Sequence, residues 1–144
     1  MRIDVTPALR EALSEADLPD GGAVFEATSQ VASWREAREV LLGAFRISQG
    51  AARAEAPIVY VVHGHDLLGR RGAASAVMAT GLLSAARTAA LELSRKGAPV
   101  NVVAVDDDTS PSVVARWVTR LTERDGPTGE LVHLHPDHMG KALP

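Results

Sequence analysis

Cysteine is absent from the 144 residues, which excludes disulfide bonds, a thiolate nucleophile and zinc fingers built on cysteine. Aromatic residues make up 3% of the chain, so Ala, Val and Leu must fill the core. The net charge of −3 lacks the basic excess that nucleic-acid-binding proteins carry. We find no signal peptide and no uninterrupted apolar run long enough to span a bilayer. These absences predict a cytoplasmic protein that binds neither nucleic acid nor membranes.

Residues 57–105 form the most informative stretch, which reads as a strand, a glycine-containing loop, a long helix and a second strand. The runs 58–62 and Val100–Val105 are β-branched without alternation, as in parallel strands that are covered on both faces. Between them, Ala73–Lys96 has the length and alanine content of a helix. The pattern predicts one βαβ unit with a right-handed crossover.

Shorter elements are predicted on either side of this unit. The expected strands are 2–5, Ala23–Ala27 and 130–134, and the expected helices begin at Pro7, Trp34 and Pro111. Alternation of strands with helices predicts a three-layer α/β sandwich around a mostly parallel sheet of about five strands. The length suits a single domain over residues 1–144.

Two segments of this unit resemble the short-chain dehydrogenase/reductase family. Ala-Leu-Glu-Leu at 90–93 and Lys-Gly-Ala-Pro-Val-Asn-Val-Val-Ala at 96–104 are similar to the family pattern A-x-E-L-x-x-x-G-I-R-V-N-x-V-x-P-G. Asp-Val-Thr at 4–6 resembles the end of the family's third strand, and 57–63 resembles the strand that carries its catalytic serine. The resemblance implies a truncated, Rossmann-like sheet that corresponds to the central and C-terminal part of a full-length member.

The chain departs from the family pattern at the residues that bind the cofactor and carry out the reaction in the family. The Thr-Gly-x-x-x-Gly-x-Gly turn that seats a dinucleotide does not occur in the chain. The active Tyr-x-x-x-Lys falls on Ser75 and Ala79, and neither side chain can replace its counterpart. The family serine falls near Val62 or His63. The resemblance therefore implies a degenerate member without a bound cofactor and without hydride transfer of its own.

The association helices of the family have counterparts here. In the family, the helices that resemble 34–54 and 73–96 pack against a neighbouring subunit. The second helix carries a face of mostly small residues that permits close helix contact: Ala76, Ala79, Thr80, Leu83, Ala86, Arg87 and Ala90. We therefore predict an accessory subunit that forms homo-oligomers or pairs with a full-length reductase. The sheet would lack the family's first strands unless residues 2–5 fill the vacant edge beside Ala23–Ala27. An open edge invites association, so we expect something to cover it.

Histidines form two clusters, and each cluster follows or closes a predicted strand. Both clusters should lie at the carboxyl edge of a parallel sheet, together with the aspartates at 106–108, and this edge is where such folds bind ligands. The metal-ligand candidates are His63, His65, His133 and His135. Two alternatives to the accessory subunit therefore stay open: an enzyme that uses this His/Asp set, with or without a metal, and a small-ligand binding module.

Overall fold

The computed structural model describes residues 1–134, which form a parallel five-stranded sheet between two layers of helices. In chain order the elements are β1 (Arg2–Asp4), α1 (Pro7–Ser14), β2 (Ala23–Ala27), α2 (Trp34–Arg53), β3 (Ile58–His63), α3 (Gly64–Leu67), α4 (Ala73–Leu93), β4 (Val100–Val105), α5 (Pro111–Leu121) and β5 (Leu131–His133). The three-layer α/β prediction is confirmed, and α3 is the one element among them that the sequence patterns did not predict.

The strands pair in the order in which they occur in the chain, β1-β2-β3-β4-β5. Arg2 pairs with Ala23, so β1 is the segment that covers the edge of β2. In the usual dinucleotide-binding sheet, ordered 3-2-1-4-5-6, the first strand lies beside the fourth. Here β1, which resembles the family's third strand, lies at the edge of the sheet beside β2.

Alternate residues of the strands pack against different helical layers. On one face, α2 and α4 cover a core that includes Tyr60 and Val102, and on the other, α1 and α5 cover Val59, Val61 and Val103. Neighbouring strands are parallel and always step in the same direction across the sheet. The connections through α1 and α5 therefore have the opposite hand from those through α2 and α4.

Helix α2 begins where its sequence predicts. The Ser33 hydroxyl accepts a hydrogen bond from the Glu36 backbone N–H at 3.2 Å. The Glu36 carboxylate accepts one from the Ala32 backbone N–H at 2.8 Å. The two hydrogen bonds form a capping box in which the Glu36 carboxylate bonds to the backbone N–H one residue before Ser33.

Helix α4 is more apolar than we expected from the sequence. Together with the 3₁₀ turn that follows it, the segment Ala73–Lys96 is long and apolar enough to cross a membrane by length and composition. Charged residues interrupt this segment, so it does not count as an uninterrupted apolar run. Its sheet-facing side chains, such as Met78 and Leu82, are fully buried in the core. The inner side of α4 is thus part of the core, and the cytoplasmic location stays a prediction.

Candidate functional site

The carboxyl ends of the strands form a crevice because the segments that follow them diverge. After β1 and β4 the chain turns towards the layer of α1 and α5, and after β2 and β3 it turns towards the layer of α2 and α4. The segments that follow β1 and β2 therefore lead to opposite faces of the sheet, and so do the segments that follow β3 and β4. Such points are where open α/β sheets bind ligands.

A cavity of about 360 Å³ occupies this crevice. Its apolar wall consists of Leu9, Val61, Val105, Pro111 and Val114. Its polar wall consists of Thr6, Glu26, Thr28, Ser29, His63, Arg71, Asp106, Asp107 and Thr109. The volume is at the lower end of the range for small-molecule sites, and the mixed lining suits a small polar ligand.

Glu26 lies inside β2, although glutamate is uncommon in β-strands. One of its oxygens accepts hydrogen bonds from the Thr6 backbone N–H at 2.7 Å and from the Thr6 hydroxyl at 2.8 Å. Its other oxygen accepts a bond from the Thr28 hydroxyl at 3.0 Å. These three donors hold the carboxylate at the cavity and fasten the start of α1 to β2.

His63, at the end of β3, is buried and has a partner at each ring nitrogen. Nδ1 accepts the His65 backbone N–H at 3.2 Å, so in the neutral ring the proton lies on Nε2. Nε2 then donates to the Asp107 carboxylate at 3.2 Å. The Asp107 side chain is otherwise 94% exposed. His63 therefore acts as a donor towards the loop after β4, and its basic nitrogen is turned to the backbone.

Burial lowers the pKa of His63 below its usual value of 6.5, and the charge of Arg71 lowers it further. The hydrogen bond and charge of Asp107, and the charge of Asp66, act in the opposite direction. The imidazole is consequently neutral at pH 7.

We expect acidification to destabilise the fold through His63. The unfolded chain, with the higher pKa, takes up the proton first, so stability falls as the pH drops through 6.5 towards the lower folded value. Urea denaturation at about pH 7.5 and about pH 5.5 should show a larger loss for the wild type than for His63→Gln. Equal losses in the two proteins would contradict the assignment, because the variant retains every other titrating group.

Asp66 and Arg71 form an ion pair between a buried carboxylate and a partly buried guanidinium, which no sequence pattern predicted. The Asp66 side chain is fully buried, and Arg71 Nε lies 3.5 Å from its carboxylate. Burial raises the pKa of Asp66, while the charge of Arg71 holds it down. Arg71 also donates to the Thr28 backbone carbonyl at 3.0 Å. The pair thus joins α3 to the segment after β2 and places the guanidinium at the cavity wall.

The histidines do not all converge. His63 pairs in register with Val105 and faces the layer of α1 and α5. His133 pairs with Ala104, which faces the layer of α2 and α4, so the sheet lies between the two imidazoles. His65 lies beside His63, with a ring separation of 5.3 Å.

The positions of His63, His65 and His133 do not decide whether the protein binds a metal. Within residues 1–134 no group of three or more His, Asp or Glu side chains is placed to hold a metal ion. His135 lies outside the described residues, so the set of His63, His65, His133 and His135 stays a prediction.

Ser75 and Ala79, at the family's Tyr and Lys positions, are fully buried on α4. The Ser75 hydroxyl accepts the Val31 backbone N–H at 3.0 Å and lies 3.4 Å from the carbonyl of the same residue. It thus holds the segment between β2 and α2 against α4. Both positions serve packing, and neither side chain reaches the cavity at the carboxyl edge.

The outer face of α2 and α4 is unusually apolar. We call the α2/α4 face the surface that includes Trp34, Leu42 and Phe45 on α2, and Val77 and Leu91 on α4. All five side chains are exposed, Leu91 by 80%, Trp34 by 62% and Phe45 by 60%. Two hollows of about 600 and 340 Å³ lie between the helices and share Leu41. Large apolar side chains around a groove are typical of a surface that another protein covers.

Comparison with known proteins identifies the fold. No family model matches the chain, and neither does any curated protein. Solved structures do match: an acetoin dehydrogenase from Enterobacter cloacae superposes with a TM-score of 0.68 and 21% identity, over 78% of this chain and 61% of that enzyme. An NAD⁺-bound short-chain dehydrogenase from Leptospira borgpetersenii serovar Hardjo-bovis gives 0.65 and 15%, over 87% and 66%. An oxidoreductase of the short-chain dehydrogenase/reductase family from Burkholderia thailandensis gives 0.63 and 19%, over 90% and 69%.

The predicted likeness to short-chain dehydrogenases/reductases is thereby confirmed at the level of the fold. The matched region spans about three fifths of the length of the acetoin dehydrogenase.

Proposed function

We propose that this chain, which has the fold of short-chain dehydrogenases/reductases, is an accessory subunit that carries out no hydride transfer itself. It would act by association with another chain of the same fold, either a second copy or a complete reductase. The observation that carries the proposal is the exposed apolar α2/α4 face. The loss of the reacting groups at Ser75 and Ala79 supports it.

The composition of α4 is the first argument for association through this face. A helix that packs on a sheet and otherwise meets water needs one apolar stripe. Met78, Leu82 and Ala86 supply that stripe. Val77 and Leu91 lie on the outward side and are left to solvent in the isolated chain. Burial of such side chains against a second protein would remove that exposure.

The buried serine is the second argument. A hydride-transfer site of this fold needs an acid whose pKa suits proton transfer near neutral pH. The Ser75 hydroxyl is already engaged with the backbone of Val31. Ala79 offers no charge to tune a neighbour.

Self-association tests the proposal directly. We expect the purified chain to form dimers at tens of micromolar in about 1 M salt, where the screening length falls to about 3 Å and apolar contacts dominate. Replacement of Leu91 by Glu should weaken the dimer by about tenfold or more, since a charge would enter the apolar contact. Light scattering after size exclusion measures both proteins.

A matched control lies on the opposite layer. Ala8→Glu introduces the same charge at an exposed position of α1 and should leave association unchanged. A chain that stays monomeric at every salt concentration and binds no reductase would refute the accessory role.

The cavity at the carboxyl edge favours a second candidate function, binding or conversion of a small polar molecule. His63 and Asp107 would supply the titratable groups, and Glu26 a fixed acceptor. Stoichiometric metal in protein purified without a histidine tag, or a rise in melting temperature with a small polar ligand, would favour this candidate over the accessory subunit.

A further inference from the structure

Arginine side chains surround the apolar α2/α4 face in a protein that is acidic as a whole. Arg35, Arg46 and Arg53 recur at intervals of eleven and seven residues, so they share one outward ridge of α2 with Leu42. Arg38 lines the smaller hollow beside Trp34. On α4, Arg87 lies one turn before Leu91. We call these five arginines the arginine rim.

The rim carries an excess of positive charge. All five arginines are exposed, and none of their side chains makes an ion pair or hydrogen bond to another residue in the described part of the chain. The acidic side chains of α2 and α4 are Glu36, Glu39 and Glu92, all of them exposed, which leaves an excess of two positive charges on the two helices. The whole chain has a net charge of −3. Charge of the opposite sign therefore lies elsewhere on the molecule.

This charge distribution bears on what covers the face. Two copies that meet through the α2/α4 face would bring two arginine rims together. Like charges that face each other across an interface disfavour the pairing, and complementary charges favour it. A partner with acidic residues around its own apolar helices would match both the groove and the rim.

We propose that the α2/α4 face is built for a different chain of the same fold whose corresponding face has an acidic rim, in preference to a second copy of this chain. The inference rests on the proposed accessory function, and it specifies the partner by the charge around the partner's own apolar face. Two copies should associate only when salt screens the rims, which is why the dimer in the self-association experiment is expected at about 1 M salt.

An acidic-rimmed partner can be made from this chain itself. The triple variant Arg35→Glu, Arg46→Glu, Arg53→Glu keeps the apolar groove and reverses the charge of one ridge. Its folding is checked by circular dichroism and thermal denaturation. The matched control is Arg116→Glu, Arg120→Glu, Arg124→Glu, which makes the same net change on and just beyond α5, in the opposite layer.

The experiment compares association at low ionic strength, about 0.02 M, by native mass spectrometry and light scattering. We expect wild type alone and the triple variant alone to associate weakly, and their equimolar mixture to form one-to-one dimers about tenfold tighter or more. The difference should shrink at about 1 M salt. Mixtures of wild type with the α5 control should bind no more tightly than wild type alone.

The two proposals fail in different ways. If wild type self-associates at low salt as tightly as the mixture, the charge-selected partner is wrong, and association through the face stands. If no combination associates at any salt concentration, both the charge inference and the accessory function are refuted.

Discussion

Replacing Asn101 by leucine is expected to lower the free energy of unfolding by about 3 kcal/mol, the sum of several buried polar groups left without partners. Asn101 is fully buried in β4. Its amide nitrogen donates to the carbonyl of Leu121 at 3.2 Å and to that of Pro127 at 2.7 Å. Its oxygen accepts the Glu130 backbone N–H at 3.1 Å. One side chain thus ties the end of α5, the turn that follows and the entry to β5 to the central sheet.

Chemical denaturation measures this loss, and the exposed Gln30 provides a comparison. The Gln30 side chain also donates to a backbone carbonyl, that of Arg71 at 2.9 Å, but at an exposed site. Gln30→Leu should change stability by no more than about 0.5 kcal/mol. An Asn101→Leu protein as stable as the wild type would show that these three bonds do not hold β5 in place.

The second large effect is expected when lysine replaces Ala79, the position of the family's active-site lysine. Ala79 is fully buried between α4 and the sheet. A lysine there must displace packed side chains and lose either its hydration or its proton, at a cost of about 4 kcal/mol or more. We expect little folded protein, and any folded fraction should unfold at much lower denaturant concentration.

Two further variants keep this prediction open to refutation even if the lysine variant does not fold. Ala79→Leu adds volume without charge and should cost about 1 to 3 kcal/mol. Ala85→Lys makes the same chemical change on the exposed side of the same helix and should be within about 0.5 kcal/mol of wild type. Equal stability of the two lysine variants would mean that α4 presents a different side to the sheet.

The parts of the fold that local sequence determines were predictable. Strands β3 and β4 have continuous β-branched runs because both of their faces are covered, and α2 begins at a serine whose side chain caps it. In both cases the residues that carry the signal are neighbours in sequence. The pairing of β1 with β2 joins residues about twenty positions apart, and the sequence left open which segment covers that edge.

The candidate site was less predictable because it depends on register and on distant contacts. Both histidine clusters follow strands, but the sequence does not say that β5 pairs with β4 so that His133 matches Ala104. That register turns His133 away from His63. The ion pair of Asp66 and Arg71 spans a short helix and a loop with no periodic pattern to reveal it. The acceptor role of Glu26 likewise requires Thr6, which lies twenty residues earlier.

The consecutive strand order has a consequence for how the chain reaches its native state. Each of the strands β2 to β5 pairs with the strand that is synthesised just before it. The sheet can therefore grow from β1 to β5 in the direction of synthesis, because no later strand has to insert between two earlier ones. A nascent polypeptide released in stages from the ribosome should therefore gain protease resistance stepwise, beginning well before β5 has emerged.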